Sequence, residues 1–146
     1  MDSLSSSDTT LKRKICIILL LVLSGAKLYA QNDKAFLRAI RTVETGDCEK
    51  PARGALGERG AYQFRHSVWR QHTSRPFHLA EVRREADAVA LAHMNWIRSY
   101  LRNNGVPATY HNVAMAWNAG VGNVKRGSIP YQSRDYAQRV LNLMEK

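Results

Sequence analysis

Downstream of residue 30, apolar residues recur at helical spacing and are separated by turns that contain glycine. The first apolar stripe runs from Phe36 to Val43 and predicts a helix that begins at a cap on Asn32 or Asp33. Gly46 is expected to end this helix, because glycine readily adopts the backbone conformation found just past a helix C-terminus. The residues immediately before Gly46 are therefore predicted to lie in the last helical turn.

Four further helices are predicted. The longest keeps the 3.6-residue period for five turns and carries Trp96 in its apolar stripe, so Trp96 is expected in the core. Trp69 lies in the stripe of a shorter helix and is expected in the core as well. The helices are expected over residues 64–72, over residues 80–103, from a Thr109 cap to Gly120 and from a Ser133 cap through Met144, with a turn at residues 121–130.

Residues 47–62 break the helical pattern. The segment is poor in apolar side chains and contains Pro51 and three glycines, so it is predicted to form a loop with at most a small hairpin. No alternating apolar pattern longer than three residues, which would indicate a half-buried strand, occurs in the sequence. The predicted fold class is all-α, in one compact helical domain.

The first 30 residues are typical of an export signal. Three basic residues precede an apolar run over residues 15–23, which is far shorter than the roughly 20 residues of a membrane-spanning helix. Cleavage is expected after Ala30 in preference to Ala26, and an uncleaved anchor or a buried helix is the alternative. The predicted organisation is a signal peptide over residues 1–30 and one domain over residues 31–146. The protein is then exported to the periplasm, the cell envelope or the extracellular space.

Composition and charge narrow the class of protein. A chain of 146 residues with 45% hydrophobic residues suits one packed domain rather than a disordered chain. The formal net charge of +10 favours a polyanionic partner, which can be nucleic acid, anionic lipid or an acidic polymer. The arginines are spread along the helices without clustering near exposed aromatic side chains, and this argues against a nucleic-acid-binding module.

Cysteine and histidine spacing predicts neither a disulfide nor a metal site. Cys16 lies in the apolar leader and would leave with it, so Cys48 is interpreted as a plain free thiol rather than a nucleophile. The five histidines do not have the spacing of metal ligands. No metal and no cofactor is expected.

Glu44 is the candidate for acid chemistry. It follows Val43 in the last turn of the first helix, where apolar neighbours and the partial negative charge of the helix C-terminus both raise a carboxyl pKa. A carboxyl with a raised pKa can protonate a leaving oxygen near neutral pH. By position alone, however, such a glutamate is more often a solvated surface residue.

Four segments of the chain resemble the lysozyme-like superfamily, in particular the soluble lytic transglycosylase domains and the related goose-type lysozymes. They resemble the catalytic-glutamate segment, the glycine-rich segment that ends in glutamine, the aromatic-Asn-Ala-Gly segment and the closing helix that presents a tyrosine to the site. They follow the family's order and cover nearly all of the chain beyond residue 30. The segments are AIRTVETG at 39–46, GERGAYQF at 57–64, AWNAG at 116–120 and SRDYAQRV at 133–140.

Two positions depart from the family pattern. Ala61 and Tyr62 stand where a Leu-Met pair is common before the glutamine, and Trp117 stands where tyrosine or phenylalanine is usual. Both changes keep bulk at the position, so they bear on substrate preference rather than on activity.

The resemblance implies a lysozyme-like fold, α+β at most, with the glycine-rich loop or hairpin beside a cleft. It implies an enzyme that cuts the β-1,4 bond between MurNAc and GlcNAc in peptidoglycan, with Glu44 as the catalytic residue. A monomer is expected, with peptidoglycan strands and anionic wall polymers as partners, no nucleic acid and no stable membrane insertion after cleavage of the signal. The expected substrate-binding residues are Thr45, Tyr62, Gln63, Trp117, Asn118 and Tyr136.

The chemistry of these side chains suits those roles. Gln63 and Asn118 can hydrogen-bond N-acetyl and hydroxyl groups, although turn-stabilising amides are the alternative. Tyr62 and Trp117 can stack on sugar rings. Tyr136 can hydrogen-bond Glu44 or the N-acetyl group, and a core tyrosine is the alternative interpretation.

A second carboxylate decides the reaction type. Asp47 and Glu49 follow Glu44 too closely to face it across a sugar, which leaves Glu58 as the candidate. The resemblance implies that one glutamate acts first as acid and then as base while the substrate's N-acetyl oxygen attacks the anomeric carbon, and the product is a 1,6-anhydro sugar. This lyase route is preferred to hydrolysis assisted by Glu58. An inactive wall-binding relative is a further alternative.

Overall fold

The described part of the chain is predominantly helical. A computed structural model describes residues 14–15, 31–48 and 52–145. The chain divides into two units, Met1–Lys34 and Ala35–Lys146, and the second unit holds nearly all of the described residues. The helices are α1 over residues 31–45, α2 over His66–His72, a 3₁₀ helix over Phe77–Glu81, α3 over Arg83–Asn103, α4 over Tyr110–Ala119, α5 over Val121–Lys125 and α6 over Tyr131–Met144.

Helix α1 ends where the sequence predicts, but the residue predicted to cap its start is wrong. Residues 31–33 are already helical, so the prediction that Asn32 or Asp33 caps the helix is wrong. At the other end Gly46 has a φ of +70°, and its N–H donates to the Thr42 carbonyl oxygen at 2.9 Å. The left-handed conformation of Gly46 stops the helix and leaves Glu44 in its last turn.

One hydrophobic core joins the helices of the second unit. The apolar stripe of α3 faces this core, and α4 packs against α3, α5 and α6. Burial of the stripes stabilises the helices, because most helical stability in proteins comes from packing of an amphipathic face. The largest fully buried side chains are Phe36, Ile40, Tyr62, Trp69, Met94, Ile97, Leu101, Val113 and Val140.

The two tryptophans predicted to be core residues differ. Trp69 is 0% exposed and its indole N–H donates to the Arg75 carbonyl oxygen at 2.8 Å, so its core position is confirmed. Trp96 is 37% exposed, and the prediction that it is core is wrong. Its ring contacts the rings of His72, His93 and Tyr100, and the rest of it is open to solvent.

Four features of the helices differ from the prediction. A 3₁₀ helix replaces the first turn expected for α3, and α5 occupies part of the segment expected as a turn. Phe64 lies in a β-bridge and not in α2, which begins at His66.

Ser133 does not cap α6, because the helix begins at Tyr131 after Pro130 and Ser133 is buried inside it. The Thr109 cap of α4 is confirmed, since its side chain accepts from the Asn112 N–H.

The glycine-rich segment between α1 and α2 forms a compact loop. Arg59 makes isolated antiparallel bridges with Arg53 on one side and with Phe64 on the other. The Gly60 N–H donates to the Ala52 carbonyl oxygen at 2.8 Å, which closes the loop on itself. These bridges are the described counterpart of the small hairpin that the sequence allows.

The predicted export signal lies outside the described residues, except for Lys14 and Ile15. Within the described ranges, no helix is long and apolar enough to cross a bilayer.

Candidate active site

Glu44 lies at the wall of a cleft of about 500 Å³. Its carboxylate oxygen Oε1 accepts a hydrogen bond of 2.7 Å from the Tyr136 hydroxyl, which reaches it from α6, 92 residues further along the chain. Tyr136 itself is 4% exposed. A buried phenol therefore fixes the orientation of a half-buried carboxyl. The sequence allows Tyr136 to be either a hydrogen-bond donor of the site or a core tyrosine, and its bond to Glu44 is present in the structure.

Burial raises the pKa of Glu44 above its ordinary value. The hydrogen bond from Tyr136 and the positive charge of Arg139 act in the opposite direction, because each stabilises the ionised carboxylate. The negative charge of Glu58 adds to the rise. The expectation that this carboxyl has a raised pKa thus agrees with its surroundings, and desolvation is the largest cause.

The cleft gathers most of the residues that the sequence singled out. Glu44 comes from α1, Glu58 and Gln63 from the glycine-rich loop, and Trp117 and Asn118 from α4. These elements are far apart in sequence, so the packing of helices and loop brings the side chains together. The lining is completed by Tyr62, Phe64, Arg65, Val68, His93, Ala119 and Gly120.

Two amide side chains of the cleft are held by hydrogen bonds. Gln63 has a φ of +49°, and its Nε2 donates to the Gly60 carbonyl oxygen at 2.9 Å. Asn118 is exposed, and its Oδ1 accepts from the buried Ser133 hydroxyl at 2.7 Å. Each bond uses one end of the amide, so the other end remains for a ligand or water.

Glu58 belongs to the same cleft and is anchored in the loop. Its Oε2 accepts from the Leu56 N–H at 3.0 Å, and its Oε1 lies 3.6 Å from Arg65 Nε. Gly54 makes room for this arrangement, because a Cβ there would collide with Glu58 and lie 2.7 Å from Gln63 Oε1. The second carboxylate that the sequence proposed therefore faces the cleft as an anchored group.

Two of the expected substrate-binding residues are not placed to touch a sugar. Tyr62 is 1% exposed, and its hydroxyl donates to Asp87 Oδ1 at 2.6 Å, so its ring cannot stack on a substrate as expected. The Thr45 hydroxyl makes contacts of 3.2 Å with the Arg41 and Ala61 carbonyl oxygens, and Thr45 is not part of the cleft lining. Thr45 thus ties the end of α1 to the glycine-rich loop.

An ionic network fixes the turn that follows Glu44, and no spacing along the chain predicted it. Asp47 has a φ of +56°, in the left-handed region that aspartate enters more readily than most residues other than glycine. Its carboxylate accepts from Arg41 Nε at 2.7 Å and from Arg83 Nη1. Burial would raise the pKa of Asp47, but the two arginines outweigh it and the pKa is lowered. Asp47, which the sequence already excludes as a catalytic partner of Glu44, is thus a structural anchor of the turn.

Trp117 forms an aromatic wall of the cleft. Its ring lies 6.0 Å from the Phe64 ring and 4.8 Å from the His93 imidazole, measured between centroids. His93 was not predicted to belong to any site, because its place on the α3 stripe resembles that of an ordinary core residue. Only the packing of α3 against α4 brings it to the cleft.

Cys48 is an exposed free thiol, as predicted. Within the described ranges, no group of three or more histidine, cysteine, aspartate or glutamate side chains could hold a metal ion.

Comparison of the whole chain with known proteins adds no relative to this description. No family model, no curated protein and no solved structure matches the chain. The interpretation of function rests on the residues of the cleft and on their geometry.

Proposed function

We propose that the protein is a peptidoglycan lytic transglycosylase that cleaves the MurNAc-GlcNAc β-1,4 bond without water. The observation that carries the proposal is the setting of Glu44, a half-buried carboxyl in an open cleft, bonded by Tyr136, with a pKa raised by burial. Gln63 and Asn118 on the same cleft suit the N-acetyl and hydroxyl groups of such a substrate.

Glu44 supplies both proton transfers in this reaction. In the first step its protonated carboxyl donates to the glycosidic oxygen, the bond from that oxygen to the anomeric carbon breaks, and the substrate's N-acetyl oxygen bonds to the anomeric carbon. In the second step the Glu44 carboxylate takes the proton of the sugar's C6 hydroxyl. The C6 oxygen then displaces the N-acetyl oxygen and forms the 1,6-anhydro ring.

The geometry of Glu44 serves both steps. Burial favours the protonated form that the first step needs. The Tyr136 hydroxyl favours the carboxylate that the second step needs, and it holds the carboxyl in one orientation throughout. A single residue with these opposing influences can alternate between acid and base.

Hydrolysis of the same bond is the second candidate. Glu58 lines the cleft with Glu44 and its charge acts on the Glu44 carboxyl, so a water-activating base is near. Its hydrogen bond from Leu56 N–H and its ion pair with Arg65 favour a loop anchor instead. We therefore place the lyase first.

The deciding experiment is digestion of peptidoglycan sacculi by the purified protein, with mass analysis of the soluble products. Anhydro-muropeptides support the lyase, and reducing ends support the hydrolase. No release would support an inactive wall-binding protein.

The high positive charge fits adhesion to anionic wall polymers after export, and it predicts that binding to sacculi weakens as salt is raised.

The Glu58→Gln variant separates the two reactions. If Glu58 is a loop anchor, the variant keeps its anhydro products and slows by less than the roughly 10²-fold that loss of a general base costs. Glu145→Gln, the same change at an exposed position beyond α6, is the matched control. A loss of roughly 10²-fold or more in Glu58→Gln alone would move the assignment to the hydrolase.

The pH dependence should follow the Glu44 carboxyl. Because the acid must be protonated, kcat/KM is expected to fall as pH rises through the Glu44 pKa. Tyr136→Phe removes a bond that favours the carboxylate, so the falling limb should move to higher pH. Glu58→Gln removes a negative charge that raises the Glu44 pKa, so the limb should move to lower pH.

These shifts are measured as kcat/KM on soluble peptidoglycan fragments over a pH series. Tyr131→Phe is the matched control, because Tyr131 lies on the same helix and is 79% exposed. If the falling limb of kcat/KM against pH moves in the same direction in Tyr136→Phe and in Glu58→Gln, Glu44 is not the titrating acid.

A further inference from the structure

His93 is a buried imidazole that lines the cleft and that the reaction described above does not use. It is 8% exposed and projects from the middle of α3. Its Nδ1 lies 2.9 Å from His72 Nε2, a hydrogen bond between two imidazole rings. This bond uses the Nδ1 nitrogen of His93 and does not involve the other ring nitrogen, Nε2.

The second ring nitrogen of His93 is not fully enclosed. Among the described residues, no buried side-chain nitrogen or oxygen is without a hydrogen-bond partner. None of the described residues is a hydrogen-bond partner of His93 Nε2, so this nitrogen is not one of the fully buried atoms. His93 lines the cleft that holds Glu44, so a ligand in the cleft lies beside this imidazole.

Aromatic rings hold the imidazole in place. Trp96 stacks on it with an interplanar angle of 10° and a centroid separation of 5.6 Å. Trp117 meets it edge to face at 4.8 Å, on the cleft side. A ring clamped by two indoles and by His72 presents its remaining nitrogen in a fixed direction, as a binding group requires.

The charge state of the pair selects the kind of group it can bind. Burial, with the neighbouring His72 as a smaller cause, lowers the pKa of His93 to about 4, and burial lowers the pKa of His72 as well. Both rings are therefore neutral near pH 7. A neutral imidazole nitrogen suits an amide or a hydroxyl, whereas a carboxylate would call for the charged form.

We propose that His93, through Nε2, is a sugar-binding residue of the Glu44 cleft that hydrogen-bonds a neutral amide or hydroxyl of the glycan. The inference rests on the proposed function for the class of ligand. His72 is the positioning residue, because the hydrogen bond between the rings sets the tautomer of His93. Trp117 supplies the neighbouring apolar surface.

The test measures binding of two tetrasaccharides to the full chain that carries Glu44→Gln, which prevents cleavage during the titration. Chitotetraose carries N-acetyl groups, and cellotetraose replaces them with hydroxyls. Adding His93→Phe keeps a ring between the indoles but removes both nitrogens, and chitotetraose affinity should fall about 3- to 10-fold, the size of one neutral hydrogen bond. His93→Gln, which can restore a polar group, should recover part of that loss.

The two sugars identify the group that His93 binds. A larger loss for chitotetraose than for cellotetraose assigns the N-acetyl group, and equal losses assign a hydroxyl. His78→Phe, the same change at an exposed position, is the control and should leave affinity unchanged. A second measurement leaves His93 unsubstituted. The side-chain ¹⁵N resonances of His93 should shift when chitotetraose is added.

The outcomes distinguish this inference from the proposed function. If Glu44→Gln releases muropeptides as fast as the parent, the proposed function fails. If Glu44→Gln abolishes release but His93→Phe binds chitotetraose as tightly as the His78→Phe control, the His93 inference is overturned. Unchanged His93 resonances at saturating chitotetraose would overturn it as well.

Discussion

Glu44→Gln is expected to release soluble muropeptides from sacculi at least roughly 10²-fold more slowly than the parent protein, the usual size of a general-acid contribution. Glutamine has the same shape as glutamate and can still accept the Tyr136 hydroxyl, so the geometry of the cleft is retained. Its amide has no acidic proton to transfer to the leaving oxygen and no negative charge with which to act as base. Both steps of the proposed reaction therefore lose their catalyst.

The stability of this variant separates a catalytic role from a structural one. Because burial raises the Glu44 pKa, the stability that Glu44 contributes is present at low pH and is lost as pH rises through that pKa. Removing the ionisable group should therefore leave the protein no less stable at pH 7, as measured by thermal unfolding. Glu145→Gln is the control for rate and stability. Undiminished release by Glu44→Gln would falsify the assignment of Glu44.

Gly60→Ala is expected to lower the free energy of unfolding by about 2–5 kcal/mol. Part of this loss arises because alanine is strained in the left-handed conformation, and the rest because its Cβ overpacks a tight contact. Gly60 has a φ of +76°, and a Cβ there would overlap the carbonyl group of Ala80. That carbonyl is backbone and cannot rotate away. The Gly60 carbonyl oxygen also accepts from the Gln63 N–H and from Gln63 Nε2, so a shift of Gly60 moves Gln63 out of the cleft.

Gly57→Ala is the matched control for this prediction. Gly57 lies in the same loop with a φ of +85°, but a Cβ there would meet no atom within 4 Å. Its substitution should cost only the conformational part, about 1–2 kcal/mol. Urea unfolding of the two variants measures the difference. Equal losses at the two positions would show that the contact with Ala80 does not limit the loop.

The helices were predictable because burial of one face leaves a periodic pattern in the sequence. The stripe from Phe36 to Val43 and the end at Gly46 were read correctly, since both depend on local spacing and backbone preference. The start of α1 and the Ser133 cap were misread. Serine and asparagine can cap a helix, but their presence does not exclude a position inside one.

Several residues that the resemblance singled out meet in the structure, although they are far apart in the sequence. The carboxyl of Glu44, the amide of Gln63 and the indole of Trp117 all lie on one cleft. Tyr62 was misassigned, because a tyrosine suits a stacking platform and a buried hydrogen bond equally well. Its bond to Asp87 depends on a residue 25 positions away, on α3.

By itself, the sequence determined the helical class and the end of α1, which follow from local periodicity and from glycine. It singled out Glu44 only through the resemblance of four segments to a known family, because the position of this residue at a helix end did not distinguish it. The tertiary structure alone decided that Tyr136 reaches Glu44, that Asp47 anchors a turn and that His93 opens onto the cleft. Such contacts arise from the packing of distant helices, which spacing along the chain does not encode.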